Sequence, residues 1–175
     1  MKHIFYHLAA VMVVVVWGMT FISTKVLIVH GLSAQEIFLF RFLLAYAAVC
    51  PISFHRFFAR NLKDELYLVG GGVLGGSLFF FLQNIALGLT QASNVSFIIC
   101  MAPLLTAVLT VLSVRTEKVS RGFIYGSIIA LLGVGLLIFN GSFILRISPL
   151  GDLLTLLASL SWAFYSLVIR SLTRK

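Results

Sequence analysis

The chain has 175 residues, of which 61% are hydrophobic and only 10% charged, and its mean hydropathy is +1.10. Soluble domains carry about 25% charged residues, so this composition excludes a water-facing surface and sets the chain against lipid. The formal charge of +8 does not mark a nucleic-acid binder, because the thirteen cations are scattered between apolar runs instead of sharing one surface.

In chain order the sequence predicts six apolar segments of roughly membrane-spanning length, over residues 8–29, 34–54, 66–88, 93–114, 122–140 and 152–170. None alternates as a strand would, so the expected fold class is all-α: a polytopic integral membrane protein of about six transmembrane helices. The first segment follows Lys2 but lacks a convincing A-x-A cleavage site, and it reads as a retained helix rather than a signal peptide. It carries Trp17-Gly18-Met19-Thr20-Phe21, with Lys25 eight residues after the tryptophan. The second segment carries Arg41. The third opens on Gly70-Gly71-Gly72 and Gly75-Gly76, giving small-xxx-small pairs at Gly71/Gly75 and Gly72/Gly76, and closes on Gln83 and Asn84. Gly122/Gly126 repeats that spacing in the fifth segment. Such faces let helix backbones approach closely in lipid, where close packing drives association. Pro103 stands in the middle of the fourth segment, where its missing N–H and its ring predict a bend that exposes carbonyls. Cys50 and Cys100 lie in apolar runs with no metal or redox spacing, and read as small buried hydrophobes.

Orientation follows from the cations. Lys2, Arg56, Arg60, Lys63, Arg115, Lys118, Arg121, Arg170, Arg174 and Lys175 fall on one side of six spans, and Arg146 alone falls in the opposite loops. Ten against one predicts cytoplasmic N- and C-termini and opposes dual-topology insertion.

The sixth segment repeats the first. Trp162-Ala163-Phe164-Tyr165-Ser166 again puts a small residue after a tryptophan, and Arg170 stands eight residues on, as Lys25 does. Eight residues of α-helix bring the cation back to about 80° from the tryptophan. The offset of 145 residues implies a repeat of five spans, whose odd number forces the second copy to insert upside down. Inverted repeats around a midplane site are a hallmark of secondary transporters. Lys25, Arg41, Gln83, Asn84, Asn94 and Ser96 fall at a similar level and define a candidate polar layer, with Trp17 and Thr20 deeper. Intramembrane charges are costly and need a reason. Lys25 and Arg41 either line a cavity, favouring solutes with a carboxylate or phosphate, or snorkel to the headgroups. Trp17 is either a cavity wall or a packing residue.

No carboxylate is central. Asp64, Glu65 and Glu117 fall in loops, and Glu36 and Asp152 at helix ends, so the sequence predicts a facilitator or coupling through residues outside this chain. His3, His7, His30 and His55 show no catalytic or metal spacing, and Gly70–Gly76 lacks the ending of a phosphate loop. No enzyme, cofactor or metal is expected.

The order of motifs resembles the EamA-like group of the drug/metabolite transporter superfamily. It is carried by Trp17-Gly18, Phe21 and Lys25, Arg41-Phe42, Ala86-Leu87 with Thr90 and Ala92-Ser93, Pro103, Glu117, Gly122 and Gly133-Val134. It continues through Gly151-Asp152-Leu153-Leu154 to Trp162-Ala163-Phe164-Tyr165. The second span departs from the family by lacking a proline before its arginine. Full members have ten helices in two five-helix repeats. The resemblance therefore implies repeat 1 over residues 8–140 and the start of repeat 2 over 150–175, with this chain a fragment of a ten-helix protein. It further implies a bacterial inner-membrane exporter of small metabolites, amino-acid-like or otherwise polar, working by alternating access. Expected partners are the lipid bilayer, a small-molecule solute, and a second half or a homo-oligomer that completes the pathway; nucleic acid is not among them. The alternative is a non-transporting scaffold or decayed remnant.

Overall fold

A computed structural model describes residues 2–52, 59, 61–113, 120–139 and 148–173, with the backbone alone for residues 2, 3, 134, 135 and 137–139. The described residues are helical, with no strand. The multi-pass architecture expected from composition is the one observed. Four stretches are long and apolar enough to cross a bilayer: Ile4–Val29, Leu62–Leu89, Ala92–Ser113 and Pro149–Thr173. The other two predicted spans are shorter by this measure.

Helix α1 (Lys2–Val29) ends where Gly31 takes a φ of 98°. The Gly31 N–H donates to the Ile28 carbonyl and the Leu32 N–H to the Leu27 carbonyl, the Schellman closure that a glycine permits. Two residues later Ser33 caps α2 (Ala34–Val49). The Ser33 Oγ accepts from the Glu36 N–H, and Glu36 accepts from the Ser33 N–H. Helix α2 has 16 residues and stops short of the predicted limit at residue 54, which lies outside the described residues. Cys50 still has a helical backbone conformation and its N–H reaches the Tyr46 carbonyl at 2.8 Å, but Pro51 has no N–H to extend the ladder by another turn. At 1.5 Å per residue α2 spans about 24 Å, less than the roughly 30 Å hydrocarbon core.

The third span is not a uniform helix. It comprises α3 (Leu62–Gly71), a π-helical segment (Gly72–Leu78) and α4 (Phe79–Leu89). The fourth span is broken outright into α5 (Ala92–Ile99) and α6 (Ala102–Ser113) by a turn at Cys100–Met101. Pro103 explains the break, which goes further than the predicted bend. Its ring excludes a continuous helix, and it settles in the first turn of α6, where its missing N–H is not needed. The Met101 N–H tightens onto the Ile98 carbonyl, which also accepts from Ser159 Oγ at 3.3 Å. Helix α7 (Arg121–Phe139) has a shorter described apolar stretch, Arg121–Gly133. Helix α8 (Pro149–Thr173) starts on a proline at a position suited to one.

The sixth span, α8, organises the bundle, because it packs against every element of the third and fourth spans. Its buried stripe is small and hydroxylated: Gly151, Thr155, Ala158, Ser159, Ser161 and Ala163. Ser161 Oγ donates to the Leu74 carbonyl at 2.8 Å, so one hydroxyl of α8 meets the π-helical segment and another meets the break at Cys100. The apolar core is built from Phe21, Phe79, Ala86, Leu87, Val95, Ile99 and Ala158.

Gly71 and Gly75 meet the expectation of close approach. A Cβ on Gly71 would lie 3.3 Å from Ile169 Cδ1, and one on Gly75 would fall inside the Tyr165 ring contact. Gly122 and Gly126 do not: no other segment among the described residues comes within 4 Å of a Cβ there, and both glycines are exposed. Arg56, Arg60, Arg115, Glu117, Lys118, Arg146, Arg174 and Lys175 lie outside the described residues.

Candidate solute cavity

Lys25 sits near the C-terminal end of α1, half-buried. Its Nζ donates to the carbonyls of Leu87 at 2.6 Å and Thr90 at 2.9 Å. These belong to the end of α4, where carbonyls lack partners within the helix and the macrodipole favours a cation. Thr90 Oγ1 in turn donates to Asp152 Oδ1 at 3.3 Å, in the first turn of α8, and accepts from Asn94 Nδ2 at 3.4 Å. One end of the bundle therefore gathers the C-terminal part of α1, the C-terminus of α4 and the N-terminus of α8. Helices α1 and α8 run antiparallel.

Deeper in, the two repeated tryptophans meet. The Trp17 and Trp162 rings lie 5.6 Å apart at 32°, and both pack on Phe79, at 6.5 Å and 4.9 Å. Beside this cluster lies a cavity of about 720 Å³ whose walls include Trp17, Phe21, Ser96, Cys100, Pro103 and Trp162. Cys100 is exposed, correcting its reading as a buried hydrophobe; the turn that breaks the fourth span carries it outward. Cys50 is half-buried, and both cysteines are free.

A second cavity, of about 600 Å³, shares Pro103 and Trp162 with the first as lining residues. Thr106, Thr110, Ser166 and Arg170 line it. Thr106, Thr110 and Ser166 each donate to a carbonyl four residues back, at 2.7–2.9 Å. Their oxygens therefore face the cavity as acceptors. Pro103 and Trp162 are thus common to the walls of an aromatic chamber and a hydroxyl-lined one.

The polar layer expected from the sequence is distributed over several interfaces. Thr20 Oγ1 donates to the Trp17 carbonyl at 2.6 Å, locking its own helix turn. Arg41 is half-buried on α2, its guanidinium 4.7 Å from the centre of the Phe80 ring, with Nη1 buried and unpaired. Gln83 is fully buried on the α4 face carrying Phe79 and Leu87, and neither amide atom has a partner. Asn84, also fully buried, turns to α2 and reaches the Ala34 carbonyl at 3.5 Å. Of the residues singled out, Trp17, Ser96 and Pro103 line the aromatic chamber. Trp162 was legible as a repeat but not as a wall, because only the antiparallel pairing brings it to Trp17.

Among the described residues no group of three histidine, cysteine or acidic side chains is placed to hold a metal ion. An apolar chamber with a few fixed polar groups is the ordinary form of a small-molecule site.

A sequence profile of the EamA-like transporter family matches residues 4–139, well over half of the chain. No curated protein and no solved structure matches.

Proposed function

Because the chain belongs to the EamA-like transporter family, we propose that it moves small polar solutes across the membrane through the two chambers that meet at Pro103 and Trp162. One observation carries this reading: a cavity of solute size, walled by the paired tryptophans of α1 and α8, shares Pro103 and Trp162 with a second, hydroxyl-lined space. Alternating access then amounts to opening one chamber while the other is closed at those two residues.

The antiparallel packing of α1 and α8 supports residues 150–175 as the start of an inverted second repeat, with repeat 1 over residues 8–140. A second half, supplied by further chain or by a second copy, completes the walls on the α7 side. Cation bias supports cytoplasmic termini in an inner membrane, and hence loading of an exporter from the Arg170 end. Arg170 and the acceptor oxygens of Thr106, Thr110 and Ser166 suit solutes bearing both a carboxylate and an ammonium. Glu36 is tied up in its helix cap and Asp152 accepts from Thr90, which supports movement down the solute gradient.

Cys100 tests whether the first chamber is aqueous. In a Cys50→Ser background, a water-soluble maleimide is expected to label Cys100 in sealed membranes, and an excess of transported solute to slow that labelling. A thiol that reacts only after detergent extraction would mark the cavity as lipid-filled and remove the basis for transport through it.

A further inference from the structure

Two adjacent stripes of the third span carry the same chemistry in the same order. Residues four apart share a face, and neighbouring stripes differ by about 100°. One stripe reads Gly71, Gly75, Phe79, Gln83; the next reads Gly72, Gly76, Phe80, Asn84. Each is glycine, glycine, phenylalanine, amide.

The first stripe faces α8 and α1. Gly71 and Gly75 lie under Ile169 and Tyr165, and Phe79 packs on Trp17 and Trp162. The second faces α2, where Gly76 and Phe80 meet Phe42, Phe80 also lies under Arg41, and Asn84 reaches Ala34. Packing in this arrangement explains the glycines of the first stripe but not those of the second. A Cβ on Gly72 meets nothing within 4 Å, and one on Gly76 would make an ordinary contact with Phe42 at 3.5 Å. Turned by one residue, Gly72 would stand where Gly71 stands and Gly76 where Gly75 stands, against the Tyr165 ring that excludes a Cβ. Phe80 would replace Phe79 and Asn84 would replace Gln83. The opposite turn would drive Leu74 into Tyr165. The sequence is thus degenerate in one direction of rotation only.

Two further features belong with this pattern. Gln83 and Asn84 are fully buried, yet Gln83 Nε2 and Oε1 and Asn84 Oδ1 have no partner, so neither amide is used to its capacity in this register. The regular helical ladder is already interrupted at Gly72–Leu78, where a π-helical segment lets twist change locally.

We propose that the third span has two packing registers related by rotation through one residue, in which the Gly72-Gly76-Phe80-Asn84 stripe replaces the Gly71-Gly75-Phe79-Gln83 stripe against α1 and α8. The motion is a ratchet of one element past another between two discrete packings. It concerns the bundle itself and holds whichever solute is carried.

Disulfide cross-linking in native membranes tests it without a transport assay, using the 175-residue chain with Cys50 and Cys100 replaced by serine. The pair Gly71→Cys with Ile169→Cys reports this register, and Gly72→Cys with Ile169→Cys reports the rotated one. Both pairs are expected to close on mild oxidation. Adding Gly76→Ala, which fits beside Phe42 but not beside Tyr165, is expected to cut the second yield about a hundredfold, as overpacking by one methyl against that ring implies, and to leave the first unchanged. Tyr165→Ala is expected to restore it. Closure of the Gly71 pair alone, failure of both pairs, or a Gly72 yield indifferent to Gly76→Ala would each overturn the two-register arrangement.

Discussion

Replacing Gly75 by alanine is expected to destabilise the register in which Gly75 meets Tyr165 by about 3 kcal/mol, the upper end for overpacking a fitted core, and the bundle by that amount less what the rotated register recovers. The new methyl would overlap the Tyr165 ring at Cγ, which lies on the χ2 axis, so flipping the ring gives no relief. Gly75 lies in the π-helical segment between the Ser161–Leu74 hydrogen bond and the Phe79 aromatic cluster, so the third span cannot withdraw without loosening both. Gly72→Ala is the matched control. Its methyl enters open space, and the gain in helix propensity is up to about 1 kcal/mol. Thermal stability in detergent, read as the monodisperse fraction after heating, separates the two: a sharp loss for Gly75→Ala, and none for Gly72→Ala. Equal behaviour would mean that α8 does not sit on this face.

Lys25→Met is expected to cost about 3 kcal/mol and to loosen one end of the bundle. Hydrogen bonds to a charged group contribute about 1.5–3 kcal/mol each, and Lys25 makes two, to Leu87 and Thr90. Its removal leaves two carbonyls at the end of α4 unpaired beside the Thr90–Asp152 bond, so α1 and α8 both lose their tie to that terminus. Methionine keeps the length and apolar stem of lysine, which isolates the ammonium as the cause. Lys25→Arg should recover most of the loss. Unfolding of the purified protein in graded denaturing detergent measures this, and an unchanged midpoint for Lys25→Met would show that its bonds to α4 do not hold the helices together.

Much of this was legible in the sequence, and the exceptions have physical causes. Hydropathy marked all six apolar segments, yet length alone misjudged α2, whose limits come from Ser33 and Pro51. The Ser33-x-x-Glu36 pattern before an apolar run is a capping signal that sequence can carry. Small-xxx-small spacing marked the true contact at Gly71/Gly75 and equally marked Gly122/Gly126, where no described neighbour arrives; spacing supplies a smooth face, not a partner. Lys25 was seen as an intramembrane charge with two possible fates. Its actual partners lie 62 and 65 residues away, and a long side chain reaching carbonyls leaves no sequence trace. The same holds for Arg41, settled on the Phe80 ring. Pro103 was correctly placed as a disturbance, but that the break would meet α8, whose Ser159 adds a second bond to the Ile98 carbonyl, left no trace in the sequence. The tryptophan repeat was visible in the sequence, while its closure into one aromatic cluster required the antiparallel fold.

In the proposed mechanism solute crosses where the two chambers share Pro103 and Trp162. The most direct measurement is release of a defined mixture of free amino acids from proteoliposomes containing the purified 175-residue chain, read by mass spectrometry against protein-free vesicles. At least one zwitterionic solute is predicted to leave faster with the wild-type protein, and Trp162→Ala, in a protein that still folds, is predicted to change that rate about tenfold or more, the scale of one lost aromatic contact. A transport rate untouched by Trp162→Ala would contradict that route, and release indistinguishable from protein-free vesicles would contradict transport by copies of this chain alone.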